Sequence, residues 1–237
     1  MNTHLSSQFD ADLDAIRASL TRMGGLVEEQ VRTAMGAFIG KDSSLIDRVV
    51  SREAEVNGLE VELDDACTHL IARRQPTAID LRMVMGVGKV VTDLERIGDE
   101  AKKVAKTKGR LLDLERALDS AMSNLVGLAN LGQEVADMLH DVLDAFVRLD
   151  AEAAMRVVLR DQDIDRQFRA IFRQLVTYMM EDPRTISAAL EVVFVAKSIE
   201  RMGDHAKNIA EQVIYIAKGR DVRHLDLEAK EEGARGA

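Results

Sequence analysis

Apolar residues recur along this chain at spacings of three and four positions, over distances that are long for a globular protein. This period places them on one face of an α-helix. The first such stripe contains Phe9, Leu13, Ile16, Leu20, Met23, Val27, Val31, Ala34 and Phe38. Five further stripes follow, and the fourth stripe of the chain begins at Leu118 and includes Met122 and Leu125. The pattern therefore predicts an all-α protein of six long helices, which is typical of antiparallel bundles.

The second half of the chain repeats the pattern of the first half. The segment RVVSREAEV at 48–56 matches RVVLRDQDI at 156–164, at an offset of 108 positions. The segment DLERIGDEAKKVA at 93–105 matches SIERMGDHAKNIA at 198–210, with seven identities in 13 positions. An internal repeat of this length indicates that one three-helix unit occurs twice.

Each half has one proline where its third helix is expected to begin. Pro76 and Pro183 suit the first turn of a helix, where the missing N–H has no partner to lose. The two prolines and the repeat together predict two tandem homologous three-helix bundles and a flexible C-terminal tail. These units are expected at residues 1–110, 111–222 and 223–237.

Composition and charge exclude several classes of protein. The chain is 46% apolar and 31% charged, which is globular, and its net charge of −9 argues against a nucleic-acid partner. Cys67 is the only cysteine, so neither an internal disulfide nor a thiolate metal cluster is expected. The start of the chain lacks a signal-peptide pattern, and no window approaches 18 consecutive apolar residues. We therefore expect a soluble cytoplasmic protein, peripheral to a membrane at most.

The repeated phrase, which is the segment at 93–105 and its copy at 198–210, contains two acids four residues apart in each copy. These acids are the first candidate ligands. These pairs are Glu95 with Asp99 and Glu200 with Asp204. Residues four apart project from the same helix face. A glycine directly precedes the second acid in both copies, Gly98 and Gly203. Because glycine in mid-helix costs about 1 kcal/mol relative to alanine, its recurrence indicates close approach by a neighbouring helix or a ligand.

The preceding helix of each half supplies a second pair of polar residues. Its apolar stripe is interrupted once, by Glu53 with Asn57 in the first half and by Asp161 with Asp165 in the second. Asn57 and Glu95 lie 19 residues on either side of the proline that separates the two helices, and Glu53 and Asp99 lie 23 residues on either side. An antiparallel hairpin would therefore bring the two pairs to one level, and the second half has nearly the same spacing.

Clustered carboxylates raise one another's pKa unless a cation offsets their charge. One candidate cation is a metal, and all-oxygen ligation points to Mg²⁺, Mn²⁺ or carboxylate-bound iron. The other candidate is arginine, which would give a salt-bridge network without metal. Four arginines lie beside the acids, namely Arg52, Arg96, Arg160 and Arg201. The residues alone leave both interpretations open.

Several longer motifs resemble a known family. They are the duplicated ERIGDEA and ERMGDHA, with TRMGGLVEEQV, ARRQPTAIDLRMVMG, MLHDVLDAF and LVTYMMEDPRTI. Together they make the chain similar to the PhoU family of bacterial regulators of phosphate-specific transport, over about residues 8–224. The resemblance implies two three-helix bundles side by side, a homodimer, and a surface metal site in each half. Those sites would use Glu95–Asp99 and Glu200–Asp204 with Asp161–Asp165, whereas Glu53–Asn57 departs from the family pattern through its amide.

The resemblance also implies a role without catalysis. The family contacts the ATPase of the phosphate ABC transporter and a sensor histidine kinase, and restrains the starvation response when phosphate is abundant. Two alternatives remain, a metal-free helical scaffold and a carboxylate di-metal oxidase. The oxidase needs Glu-x-x-His motifs, and none of the five histidines has a glutamate three positions before it. His205, beside Asp204, is expected to be an exposed helix histidine rather than an accessory ligand.

Overall fold

A computed structural model of the protein describes residues 3–40, 42, 44–112 and 126–235, and within these residues it contains helices and no strand. The helices are α1 (Thr3–Ile39), α2 (Ser44–Arg74), α3 (Ala78–Leu112), α4 (Val126–Arg148), α5 (Ala151–Glu181), α6 (Ile186–Lys218) and α7 (Leu227–Arg235), with a 3₁₀ turn at Pro183–Thr185. The all-α prediction is confirmed. Of the helices described, none combines the length and the apolar character that crossing a bilayer requires.

Two three-helix bundles make up the molecule. Helices α1, α2 and α3 all pack against one another and form the first repeat, and α4, α5 and α6 do the same in the second repeat. The predicted pair of bundles is confirmed. The α2–α3 reversal uses Gln75 in a left-handed conformation (φ 48°). The α5–α6 reversal uses Asp182, whose Oδ1 accepts a hydrogen bond from the Arg184 N–H at 3.0 Å.

The two repeats pack side by side along α3 and α6, which form the most extensive helix–helix contact in the described chain. These helices run antiparallel, because Asp93 of α3 meets His205 of α6 whereas Glu100, further along α3, meets the earlier Arg201. Helix α1 also contacts α4. The buried residues of both repeats belong to one continuous apolar core. The two bundles are therefore held together by core packing as well as by surface ion pairs.

The glycines of the repeated phrase serve helix packing. A Cβ added at Gly98 would lie 2.9 Å from Oε1 of Gln30 on α1, and a Cβ at Gly203 would lie 3.2 Å from Cγ2 of Ile164 on α5. The close approach that the sequence indicated is therefore made by a neighbouring helix of the same repeat. Three residues of the predicted fourth stripe, Leu118, Met122 and Leu125, lie outside the described residues.

The C-terminal segment corrects the prediction of a flexible tail at 223–237. Residues 227–235 form α7, and Asp226 caps it by accepting a hydrogen bond from the Ala229 N–H at 2.9 Å. Lys230 of α7 forms an ion pair with Glu211 of α6 at 2.5 Å, and both side chains are buried. The buried face of α7 contains Lys230, Gly233 and Ala234. Small residues and an ion pair hold this helix, and an apolar stripe cannot reveal such a contact.

Two glycines on α3 allow the packing between the repeats to be tested. A Cβ at Gly86 would lie 2.5 Å from Cδ1 of Ile216 on α6, whereas a Cβ at Gly88 meets no atom within 4 Å. We expect Gly86→Val to destabilise the protein by about 1–3 kcal/mol, because Ile216 must shift within a packed interface. Its melting temperature, measured by circular dichroism, should fall by about 2–4 °C per kcal/mol.

The matched control is Gly88→Ala, two residues further along the same helix. It adds a methyl group in open space and removes a helix-interior glycine, so it should leave the melting temperature unchanged or raise it. Equal melting temperatures for Gly86→Val and the wild type would show that the α3–α6 packing is looser than described.

Candidate metal centres

The first repeat brings three of its predicted site residues together. Burial raises the pKa of Glu95, and the negative charges of Asp99, Glu60 and Glu53 raise it further, whereas the nearby Arg96 lowers it. Glu95 and Asp99 lie on α3, whereas Glu53 lies on α2. The carboxylates of α2 and α3 are therefore near enough for their charges to act on Glu95, and the metal site itself stays a prediction.

Glu60 is an acid that the sequence reasoning missed. Burial raises its pKa, and the charges of Asp64 and Asp99 raise it further. The predicted amide ligand, Asn57, is exposed. Glu60 lies seven positions after Glu53, and so on the same face of α2. A search along that whole face, rather than for pairs four residues apart, would have found it.

The second repeat has a matching cluster on α5 and α6. Burial raises the pKa of Asp204, the charges of Glu200 and Asp161 raise it further, and Lys207 and Lys197 lower it. Asp161 and Glu200 are themselves buried. The fourth predicted residue, Asp165, is directed elsewhere and accepts a hydrogen bond from Arg169 at 3.0 Å.

A lysine neutralises the buried carboxylate at the same place in both repeats. Nζ of Lys102 donates to Oε1 of Glu53, and Nζ of Lys207 donates to Oδ2 of Asp161 at 2.6 Å. Glu53 is 8% exposed and Asp161 is 6% exposed. The two lysines occupy equivalent positions of the repeated phrase, three residues after its second acid. Because helix side chains slope toward the N-terminus, each lysine reaches back over that acid.

The electrostatics of Lys207 show how closely it is tied to the acids. Burial lowers its pKa, but the hydrogen bond and charge of Asp161, with the charges of Asp204 and Glu211, outweigh burial and raise the pKa above its usual value. The second repeat has one more cation, because Lys197 donates to both oxygens of Glu200, at 2.7 and 2.5 Å. The position equivalent to Lys197 in the first repeat is Thr92.

Three of the four arginines proposed as alternative counter-ions pair with other acids. Arg52 pairs with Glu29 at 2.7 Å, Arg160 with Asp141 at 2.5 Å, and Arg201 with Glu100 at 3.2 Å. Arg96 is exposed and influences the cluster only through its charge on Glu95. Internal neutralisation therefore occurs, but lysine rather than arginine provides it.

The ligand atoms of each cluster are of the type that a hard cation accepts, but the side chains are not arranged around one point. Each cluster offers only carboxylate oxygens, the ligands that Mg²⁺, Mn²⁺ and carboxylate-bound iron accept. Within the part of the chain that the structure describes, no three acid, histidine or cysteine side chains lie close enough together to hold a metal ion. A metal would therefore be held by Glu95 and Asp99, or by Glu200 and Asp204, after the acids bound to lysine turn toward it.

His205 and Cys67 are two further residues with possible ligand or nucleophile chemistry, and the structure gives both another environment. His205 was expected to be exposed, but it is buried, and its Nδ1 lies 2.8 Å from Oδ1 of Asp93 on α3. It therefore belongs to the contact between the repeats.

Burial raises the pKa of the Cys67 thiol to about 11, with a further contribution from Asp64, so this cysteine is not a reactive thiolate.

The sequence has close relatives with a shared name. A family model described as PhoU domain matches residues 20–107 and 128–213, once in each repeat. The chain is 46% identical over 232 residues to the phosphate-specific transport system accessory protein PhoU of Serratia marcescens, covering 98% of this chain and 93% of that protein. Its counterpart in Escherichia coli strain K12 is 46% identical over 225 residues, covering 95% of this chain and 91% of that protein.

Solved structures show the same architecture. The crystal structure of PhoU from Pseudomonas aeruginosa superposes with a TM-score of 0.84 at 44% identity, covering 90% of this chain and 100% of that chain. The phosphate transport system regulatory protein PhoU from Streptococcus pneumoniae gives a TM-score of 0.81 at 26% identity, covering 90% of this chain and 99% of that chain. The similarity thus extends over both repeats.

The raised pKa of Asp204 has a consequence for stability. A carboxyl whose pKa lies above its ordinary value of 3.8 binds its proton more tightly in the folded protein than in the unfolded chain. Its ionised form therefore destabilises the fold once the pH exceeds the raised pKa, and the effect vanishes below 3.8. In EDTA, we expect Asp204→Asn to melt at a higher temperature than the wild type at pH 7.

The difference in melting temperature should shrink as the pH is lowered toward the ordinary carboxyl pKa. Asp65→Asn, an exposed acid of α2, is the control and should show no comparable effect. A lower melting temperature for Asp204→Asn at pH 7 without metal would mean that the Asp204 carboxylate stabilises the fold, contrary to this account.

Proposed function

This chain belongs to the PhoU family, and from that premise we propose that it is an accessory protein of the phosphate-specific transport system that regulates without catalysing a reaction. What supports the proposal is similarity over nearly the whole chain to proteins that carry this name. Both repeats take part in that similarity. The role in phosphate transport therefore rests on the complete two-bundle architecture rather than on one motif.

Within that system we propose an adaptor between two cytoplasmic surfaces. Its partners would be the ATPase of the phosphate ABC transporter and the sensor histidine kinase that reports phosphate starvation. Binding to both would hold the kinase in its restrained state when phosphate is abundant. We further propose that it works in the cytoplasm as a homodimer. Two long bundles joined along α3 and α6 offer extended helix faces for such contacts.

We also propose that each repeat binds a divalent or iron cation at its carboxylate cluster. Glu95 and Asp99, joined by Glu53, would hold it in the first repeat, and Glu200 and Asp204, joined by Asp161, in the second. Two observations support this proposal: each pair of acids projects from one face of its helix, and mutual repulsion adds to burial in raising the pKa of Glu95 and of Asp204. A bound cation would relieve that repulsion. Lys102 and Lys207 act as resident counter-ions that the metal must displace from the buried acids.

The metal proposal predicts a two-site binding isotherm that depends on the repeated phrase. Mn²⁺ titrated calorimetrically into metal-free wild-type protein should bind, and Asp99→Asn with Asp204→Asn should weaken binding at least about tenfold, a loss of about 1.4 kcal/mol per site. The reason is that one carboxylate ligand is removed from each cluster.

The control for this titration is Asp65→Asn with Glu152→Gln, which removes two exposed acids outside the clusters and leaves Mn²⁺ binding unchanged. Identical isotherms for the cluster variant and the wild type would overturn the metal sites. The adaptor role would survive that result, because it does not depend on a bound metal.

The regulatory proposal is tested in the cell that carries the gene. Deleting the gene should switch on phosphate-starvation genes in phosphate-rich medium, because the restraint on the sensor kinase is lost. Transcript levels measured before and after complementation with the full chain check this. Unchanged transcripts in rich phosphate would contradict the regulatory role.

A further inference from the structure

A cleft between the two repeats is separate from the carboxylate clusters. It encloses about 680 Å³, and α2, α3, α6 and the segment after α6 line it. Cys67, Ile71, Val84 and Met85 give it an apolar wall. This volume is within the range of sites for small organic molecules, about 300–1,000 Å³. The cleft therefore has the size and the apolar surface to bind a small organic ligand.

Three cations border the cleft. Lys89 and Arg96 lie two turns apart on the same face of α3, and both are exposed. Nζ of Lys89 lies 5.9 Å from the centroid of the Tyr215 ring, and neither residue forms an ion pair in the described parts of the chain. Arg223 enters from the segment after α6. Its Nε and Nη2 donate to Asp221 at 2.9 and 2.5 Å, which fixes the guanidinium and holds the pKa of Asp221 well below its usual range. Cationic groups of this kind recognise phosphate and carboxylate groups.

The cleft also contains an acceptor without a partner. Gln212 of α6 is only 3% exposed, and its Oε1 has no hydrogen-bond partner. A buried amide oxygen left unpaired costs free energy, which a ligand donor can recover once the amide turns toward it. On the opposite wall, Asp64 of α2 is a second acceptor. A further acid of the lining, Asp93, is already engaged by His205 and by Asn208, whose Nδ2 lies 3.3 Å from its Oδ1.

Two polar residues that line the cleft have no polar equivalent in the other repeat, whereas Arg96 corresponds to Arg201. At the offsets that relate the repeats, Lys89 corresponds to Phe194 and Asp64 corresponds to Phe172. Both phenylalanines are exposed, at 61% and 44%. The duplicated architecture alone therefore does not account for the charges in the cleft.

We propose that this cleft binds a nucleotide. The phosphates would lie against Lys89, Arg96 and Arg223, and the base would lie on the apolar wall. The amino and hydroxyl donors of a nucleotide would satisfy Gln212 and Asp64. Inorganic phosphate and a polycarboxylate such as citrate would both leave the apolar wall unused.

Calorimetric titration of ATP into the full chain in EDTA tests the proposal, because the chelator keeps metal out of the carboxylate clusters. We expect saturable binding that weakens at least tenfold in two variants. Gly88→Leu fills the cleft, since a Cβ at Gly88 meets no atom within 4 Å. Lys89→Gln with Arg96→Gln removes the two exposed cations of α3 and leaves the cleft open. Circular dichroism establishes that each variant is folded.

The matched control is Gly58→Leu, an exposed glycine of α2 where an added Cβ also meets no atom within 4 Å and which does not line the cleft. It should bind ATP as the wild type does. The proposal is overturned if ATP shows no saturable binding up to about 5 mM, or if the cleft variants bind it as tightly as the control. It is equally overturned if inorganic phosphate or citrate binds the cleft as tightly as ATP.

Discussion

A buried acid lies near further carboxylates of the same sign in each repeat, and a lysine offsets its charge. Lys102 does this for Glu53 in the first repeat, and Lys207 does it for Asp161 in the second. Each pair joins two helices of one bundle, so the same interaction that balances charge also fixes the hairpin. A buried acid that lost its partner would be strongly destabilising. The repeated phrase therefore encodes its own counter-ion together with its acids.

Helices α3 and α6 connect the other features of the molecule. One face of each helix packs against its counterpart in the other repeat, and another face carries the carboxylate cluster. Arg96 links the cluster and the cleft, because it borders the cleft and lowers the pKa of Glu95. A ligand anion that engaged Arg96 would weaken its effect on Glu95. The two proposed sites of the first repeat are thus electrostatically coupled through one guanidinium.

The fold was predictable because helical period and internal repetition are properties of the sequence alone, and both signals are strong here. Glu95 and Asp204 were predictable for the same reason, since they recur in a repeated phrase. The partner of each buried acid was not, because which cation reaches a carboxylate depends on side-chain direction across two helices rather than on nearness in sequence. Helix α7 was missed because Lys230 and small residues, not an apolar stripe, hold it.

If lysine and metal compete for the same carboxylates, removing the lysines must change the affinity for Mn²⁺. We expect Lys102→Met with Lys207→Met to be less stable without metal and to bind Mn²⁺ at least about tenfold more tightly than the wild type, because the acids are released. Lys106→Met, which removes an exposed lysine of α3, should change neither property. Unchanged or weaker Mn²⁺ binding in the double variant would contradict the claim.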